Sequence, residues 1–111
     1  MMTEDFRRAR RCHSHLAGQS GVSLLDGLLA RGWVVRRGRE YTLTETGCRE
    51  LGSRGFELGS ATTGRGCLDL TERRDHLAGP LGRALLSALL ANGRVGRRRS
   101  GRALTVRRRI L

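Results

Sequence analysis

The sequence predicts an α+β fold, mainly helical, of two tandem units, each a helix-turn-helix followed by a β-hairpin in the order of a winged helix. Three observations lead there. The stretch HLAGQSGVSLLDGLLARG at residues 15–32 returns as HLAGPLGRALLSALLANG at residues 76–93, and 12 of the 21 residues from 15 to 35 recur 61 positions later with no gap. A repeat of this length decides the architecture before any local reading does. Each copy carries leucines three and four residues apart, the mark of one buried helical face. Each copy then passes into short alternating runs around glycine, which read as a hairpin. The organisation that follows is a first unit over residues 1–55, a Gly/Ser/Thr-rich linker over 56–66, and a second unit with a basic tail over 67–111.

Taken in order, Thr3 can cap a first helix, with Glu4 and Asp5 in its first turn where the dipole favours anions. Phe6, Ala9, Cys12 and Leu16 continue a narrow helical stripe as far as the LAG turn, where Gly18 ends it. Ser20 can cap the second helix, whose stripe is Val22, Leu24, Leu25, Leu28 and Leu29, and Gly32 stops it. Trp33 to Arg36 and Glu40 to Leu43 read as strands around Arg37-Gly38-Arg39, with Trp33 and Val35 on the side of Tyr41 and Leu43. Thr44 caps a third helix through Cys48 and Leu51. In the second unit Pro80 suits a helical first turn. Leu81, Leu85, Leu86, Leu89 and Leu90 form the stripe, and Val95 to Arg98 with Ala103 to Val106 form a shorter hairpin.

All 22 basic residues are arginine, and the net charge is +12. Its distribution says more than its size: residues 92–111 hold 8 Arg and no acid. Such an end suits a polyanion, nucleic acid first among them. The arginines that would meet phosphates are Arg36, Arg37 and Arg39 in the first hairpin, Arg97, Arg98, Arg99 and Arg102 in the second, and Arg107, Arg108 and Arg109 in the tail. Phosphate contact of this kind positions a protein without reading sequence. The predicted reading helices offer only Ser23, Asp26 and Gly27, or Arg83 and Ser87, to base edges. No run approaches the ~20 apolar residues of a membrane span, no secretory leader is legible, and three cysteines without scaffold spacing fit a reducing cytoplasm.

Cys12, His15, Cys67 and His76 are the candidates for metal binding or redox chemistry, because thiolate and imidazole suit zinc and softer ions. On a helix, Cys12 and His15 would share a face. They remain one pair rather than a four-ligand box, and a buried cysteine beside a turn-capping imidazole explains them better, since His15 and His76 occupy the same slot of both copies. Cys12 falls opposite Arg73 in the repeat, so the cysteine lies outside it. Four nearby arginines, Arg7, Arg8, Arg10 and Arg11, could instead make Cys12 a redox-sensing thiol. No nucleophile, base and orienting group come together, and residues 59–66 lack the GK[ST] ending of a phosphate loop. No enzyme is predicted, and no cofactor beyond a candidate metal ion.

The run R-x-C-x-x-HLAG…G-V-x-L-x-D-x-LLARGW…Y-x-LT-x-x-G, followed by C-L-D-x-T-E-R-R-x-HLAG-x-LG-x-ALL-x-ALL, resembles the C-terminal half of a subgroup of ArsR-type winged-helix transcriptional repressors. Here it is carried by Arg10, Cys12, residues 15–18, Gly21, Val22, Leu24, Asp26, residues 28–33, Tyr41, Leu43, Thr44 and Gly47. In the second unit it is carried by residues 67–69, 71–74 and 76–79, Leu81, Gly82, and residues 84–86 and 88–90. Three departures stand out. The family's DNA-reading winged helix lies upstream of this region, Leu70 stands where a tryptophan is usual, and Leu104-Thr105 runs into Val106-Arg107-Arg108-Arg109 instead of LTPAG. The resemblance implies a cytoplasmic regulator that binds DNA and forms a homodimer, or a heterodimer with a related regulator, under control of a metal or redox signal. This chain would supply the effector and dimerisation half, with non-specific DNA affinity. The alternatives are a basic structural protein that coats nucleic acid, and an adaptor that heterodimerises with an intact regulator and blocks it.

Overall fold

In the computed structural model, which describes residues 3–111, the Thr3 hydroxyl accepts the Phe6 N–H at 3.1 Å and opens α1 (Glu4–Arg8). The helix stops at once, because Ala9 turns extended. The chain continues as a tight hairpin, β1 (Arg10–Cys12) and β2 (His15–Ala17), with Cys12 facing His15 across the pair and His13 in the left-handed region at φ 54°. Gly18, at φ +78°, begins α2 (Gly18–Ala30) rather than ending a helix, and a side chain there would press on the Arg7 carbonyl.

The hairpin β3 (Val34–Arg37) and β4 (Glu40–Leu43) follows, then α3 (Glu45–Ser53), whose cap is the Thr44 hydroxyl accepting the Gly47 N–H at 3.0 Å. The second unit repeats the order with β5 (Thr63–Leu68), β6 (Asp75–Ala78), α4 (Gly79–Ala91), β7 (Val95–Arg97) and β8 (Leu104–Val106). Within the stretch read as a linker, Phe56 is buried and residues 63–66 belong to β5. The basic end is tied down too: the Arg107 N–H donates to the Arg94 carbonyl at 2.8 Å, and Ile110 and Leu111 pack on the core.

The mainly helical expectation is overturned. Among the described residues the fold is α+β, about 37% helical and 28% strand, with four helices and eight strands in three antiparallel sheets. The helix-turn-helix reading of the HLAG repeat fails for the same reason. In both units HLA is a strand and the glycine starts the helix, so each repeat is hairpin, helix, hairpin. A stripe four apolar residues long does not distinguish helix from strand. What decides for the strand is distant: Arg10, in β1, is buried against Asp69 of the other unit. The inward face of β3 also differs from expectation, since Val34 is 1% exposed and Val35 51%.

The strands β3-β4-β5-β6 form one antiparallel sheet, joining the units at β4 and β5. The other junction is thinner. β1 meets the second hairpin through one bridge, Arg10 with Ala103, where the Leu104 N–H donates to the Ala9 carbonyl at 3.0 Å. At the position 61 residues earlier, the Leu43 N–H donates to the Thr62 carbonyl at 2.7 Å. The units also exchange their packing: α2 lies against β6, and α4 against β2. Gly21 and Gly82 sit where each helix is pressed from two sides: a Cβ at either would collide with the Leu16 or Leu77 carbonyl oxygen of its own unit, and come 3.3 Å from the Cβ of His76 or His15 of the other, respectively. Both leucine stripes end in one apolar cluster with Trp33, Val34, Tyr41 and Leu51.

Gly47 is a packing requirement of the same kind. A Cβ there would collide with the Trp33 carbonyl group, which is backbone and cannot swing away. Gly47→Ala is expected to destabilise the chain by about 1–3 kcal/mol through overpacking, read as a lower urea midpoint with an unchanged slope. An unchanged midpoint would show that α3 can shift at no cost.

Candidate functional site

The exchange of helices brings the two HLA strands side by side and their histidines into contact. His15 and His76 are 6% and 1% exposed, and their Nε2 atoms lie 3.0 Å apart. Each histidine faces a cysteine across its own hairpin: Cys12 opposite His15 in β1–β2, and Cys67 opposite His76 in β5–β6. The two thiol sulfurs and an imidazole nitrogen from each histidine all lie within 4.8 Å of one another. All four sequence candidates for metal or redox chemistry therefore meet at one point, and they are not on a helix.

Asp69 organises this cluster, and no role was read for it in the sequence. It is fully buried, and its Oδ2 accepts from His76 Nδ1 at 2.8 Å and from the Gly18 N–H at 2.6 Å. Its Oδ1 accepts from Arg10 at 2.9 Å, the Thr71 N–H at 3.0 Å and the Glu72 N–H at 3.1 Å. Asp69 thus caps α2 from the other unit, where Ala17 offers no side-chain acceptor, and an anion suits that helix end. Arg10, 3% exposed, reaches Asp69 from above the Phe6 ring. A legible signal for Asp69 did exist: in Asp-x-Thr-Glu, a carboxylate can accept from the N–H groups two and three residues on.

Electrostatics keeps the imidazoles neutral. Burial, and then His76 beside it, lowers His15 to about 4. Burial also lowers His76, outweighing Asp69, which acts the other way. Burial would raise Asp69, but the N–H groups of Gly18, Glu72 and Thr71 and the His76 ring hold it well below the usual carboxylate range. Burial and the adjoining Cys12 push the Cys67 thiol up. With Nδ1 of His76 donating to the ionised Asp69, Nε2 of His76 presents its lone pair, and the Nε2–H of His15 donates to it. The cluster can accept a cation in place of that hydrogen, or join its two sulfurs.

The third cysteine, Cys48, is exposed on α3 and stands apart from this cluster. The ten arginines proposed for phosphate contact are all exposed. Several already have partners: Arg36 donates to the Gly38 carbonyl at 2.7 Å, Arg39 to Gly66 at 2.9 Å, and Arg102 to Arg11 at 2.9 Å. Arg98 pairs with Asp5 at 3.2 Å, and Arg108 donates to the Asn92 carbonyl. They occupy the β3–β4 and β7–β8 hairpins and the segment after β8. No helix among the described residues is long and apolar enough to cross a membrane.

No protein-family model matches the chain, and no solved structure does. It is 31% identical over 108 residues to YdfF of Bacillus subtilis (strain 168), an uncharacterized HTH-type transcriptional regulator. The match takes in 93% of this chain and 48% of that protein, so the chain spans about half the length of the curated relative it resembles.

Proposed function

We propose that this chain acts in transcription regulation, as the effector and self-association half of an ArsR-like regulator, and that it is not an enzyme. The observation that carries the reading is its 31% identity, over 93% of its length, to an HTH-type transcriptional regulator. Self-association, as a homodimer or with a related regulator, belongs to the same reading. Deleting the chain's coding sequence is expected to change transcript levels from a small set of promoters. Unchanged transcript levels under metal and oxidant stress would end the regulatory reading.

Its own contribution to DNA binding is electrostatic. The candidate arginines sit on hairpins and on the final segment, where they meet phosphate rather than base edges. If about half of the eight arginines in residues 92–111 reach one duplex, log K falls with log salt at a slope of about −3 to −5. Binding to any duplex should then be micromolar at low salt and lost near physiological salt. Changing Arg107, Arg108 and Arg109 together to glutamine should flatten the slope by about two to three. Truncation is the poorer test, since it would also strip Ile110 and Leu111 from the core. The eight-arginine end also favours a second reading, a nucleic-acid coat, and tight binding of any duplex at physiological salt would decide for it. Selection of one operator from competitor DNA would place a reading head within this chain.

A further inference from the structure

We propose that Cys12, His15, Cys67 and His76 bind one tetrahedral divalent cation, zinc above all, which joins the two HLAG units through a thiolate and an imidazole from each. The four donor atoms already lie within 4.8 Å of one another. Zinc–sulfur and zinc–nitrogen bonds of ordinary length place tetrahedral donors about 3.3–3.8 Å apart, so closure needs movement on the order of an ångström. Two thiolates and two neutral imidazoles around a dication give a complex of zero net charge, which suits a site whose histidines are buried.

Asp69 is the positioning residue. By accepting from His76 Nδ1 it fixes the tautomer that leaves Nε2 free, the carboxylate–histidine arrangement that orients metal ligands. The same carboxylate oxygen holds the Gly18 N–H, so the cation, His76, Asp69 and the start of α2 form one connected line. Binding must balance protons. Both cysteines lose theirs, releasing two protons per ion, and the His15 proton moves from Nε2 to Nδ1 with no net loss. This inference does not rest on the regulatory reading, because metal affinity is measured without DNA.

The test uses the full chain, reduced and stripped with a chelator, then titrated with Co2+ and with Zn2+. One ion per chain is expected, with the visible bands of tetrahedral cobalt, a thiolate-to-cobalt charge-transfer band, displacement by zinc and a higher melting temperature. Zinc should protect Cys12 and Cys67 from alkylation while Cys48 reacts. Cys12→Ser and Cys67→Ser should each weaken the charge-transfer band and lower affinity by more than the about 10–100-fold that an outer-sphere change costs. Cys48→Ser should change nothing. Asp69→Asn should lower affinity by about 10–100-fold with the cobalt spectrum still tetrahedral. Octahedral cobalt, dependence on Cys48, or a Cys12–Cys67 disulfide that forms in a chain taking up no metal after reduction would each overturn the proposal. The last of these would leave the cluster a redox switch.

Discussion

Replacing Leu28 with aspartate is expected to unfold the chain. Leu28 is fully buried in the last turn of α2, within the cluster to which both units contribute. Withdrawing a leucine from such a place forfeits about 1.5–3 kcal/mol of burial. A carboxylate put there has no partner, and its desolvation adds several kcal/mol more unless it takes up a proton. A domain of this size has a total stability of only about 5–15 kcal/mol. Circular dichroism should show lost helix, and sedimentation an expanded or aggregated species. Leu28→Ala should leave a folded chain weakened by about 2–5 kcal/mol, while Ser23→Asp, on the exposed face of the same helix, should be nearly silent. A folded Leu28→Asp chain would mean that α2 does not face the core as described.

Asp69→Ala should be the most damaging polar substitution. The carboxylate is fully buried and answers Arg10, His76 and the N–H groups of Gly18, Thr71 and Glu72. Removing one partner of a buried ion pair costs about 3–5 kcal/mol, because the other charge stays behind without compensation. Here Arg10 is that charge. Urea unfolding at neutral pH, with chelator present so that no metal contributes, measures the loss. Arg10→Met in the Asp69→Ala background should recover part of it, and the two changes should be strongly non-additive. Because the Asp69 pKa is lowered in the fold, its contribution is fully present above the unfolded carboxylate value of about 3.9 and is lost as pH falls below it. A loss under about 1 kcal/mol would show that this carboxylate is neither as buried nor as engaged as the geometry states.

Several elements are legible from local chemistry. Thr3 and Thr44 announce their helices, and both make the predicted cap bonds. The stripes of α2 and α4 bury as their spacing requires, with Leu29 and Leu90 at the edges. The hairpins around Gly38 and before Val106 also lie where turn chemistry puts them. The first helix is the clear failure: helical spacing from Phe6 to Leu16 is real, yet the chain leaves the helix at Ala9. The cysteines show a second limit. An ungapped shift of 61 sets Cys12 against Arg73, because a two-residue turn separates Cys12 from His15 and eight residues separate Cys67 from His76. Matched by pairing across each hairpin instead, the two cysteines are equivalent.

The sequence by itself determined the repeat, the two buried leucine faces, the Thr3 and Thr44 caps and the set of four sulfur and nitrogen donors, whereas Ser20, read as a cap, lies inside α2. Tertiary structure alone decided that HLA is a strand, that each helix packs on the other unit, and that the donors converge. Periodicity, capping and turn preference act within a few residues, so they can be read along the chain. The Arg10–Asp69 pair spans 59 residues and the His15–His76 contact 61. Such contacts exist only once the two units have folded against each other, and the apolar packing and hydrogen bonds made there outweigh both the cost of burying those polar groups and the local helical preference of residues 9–16.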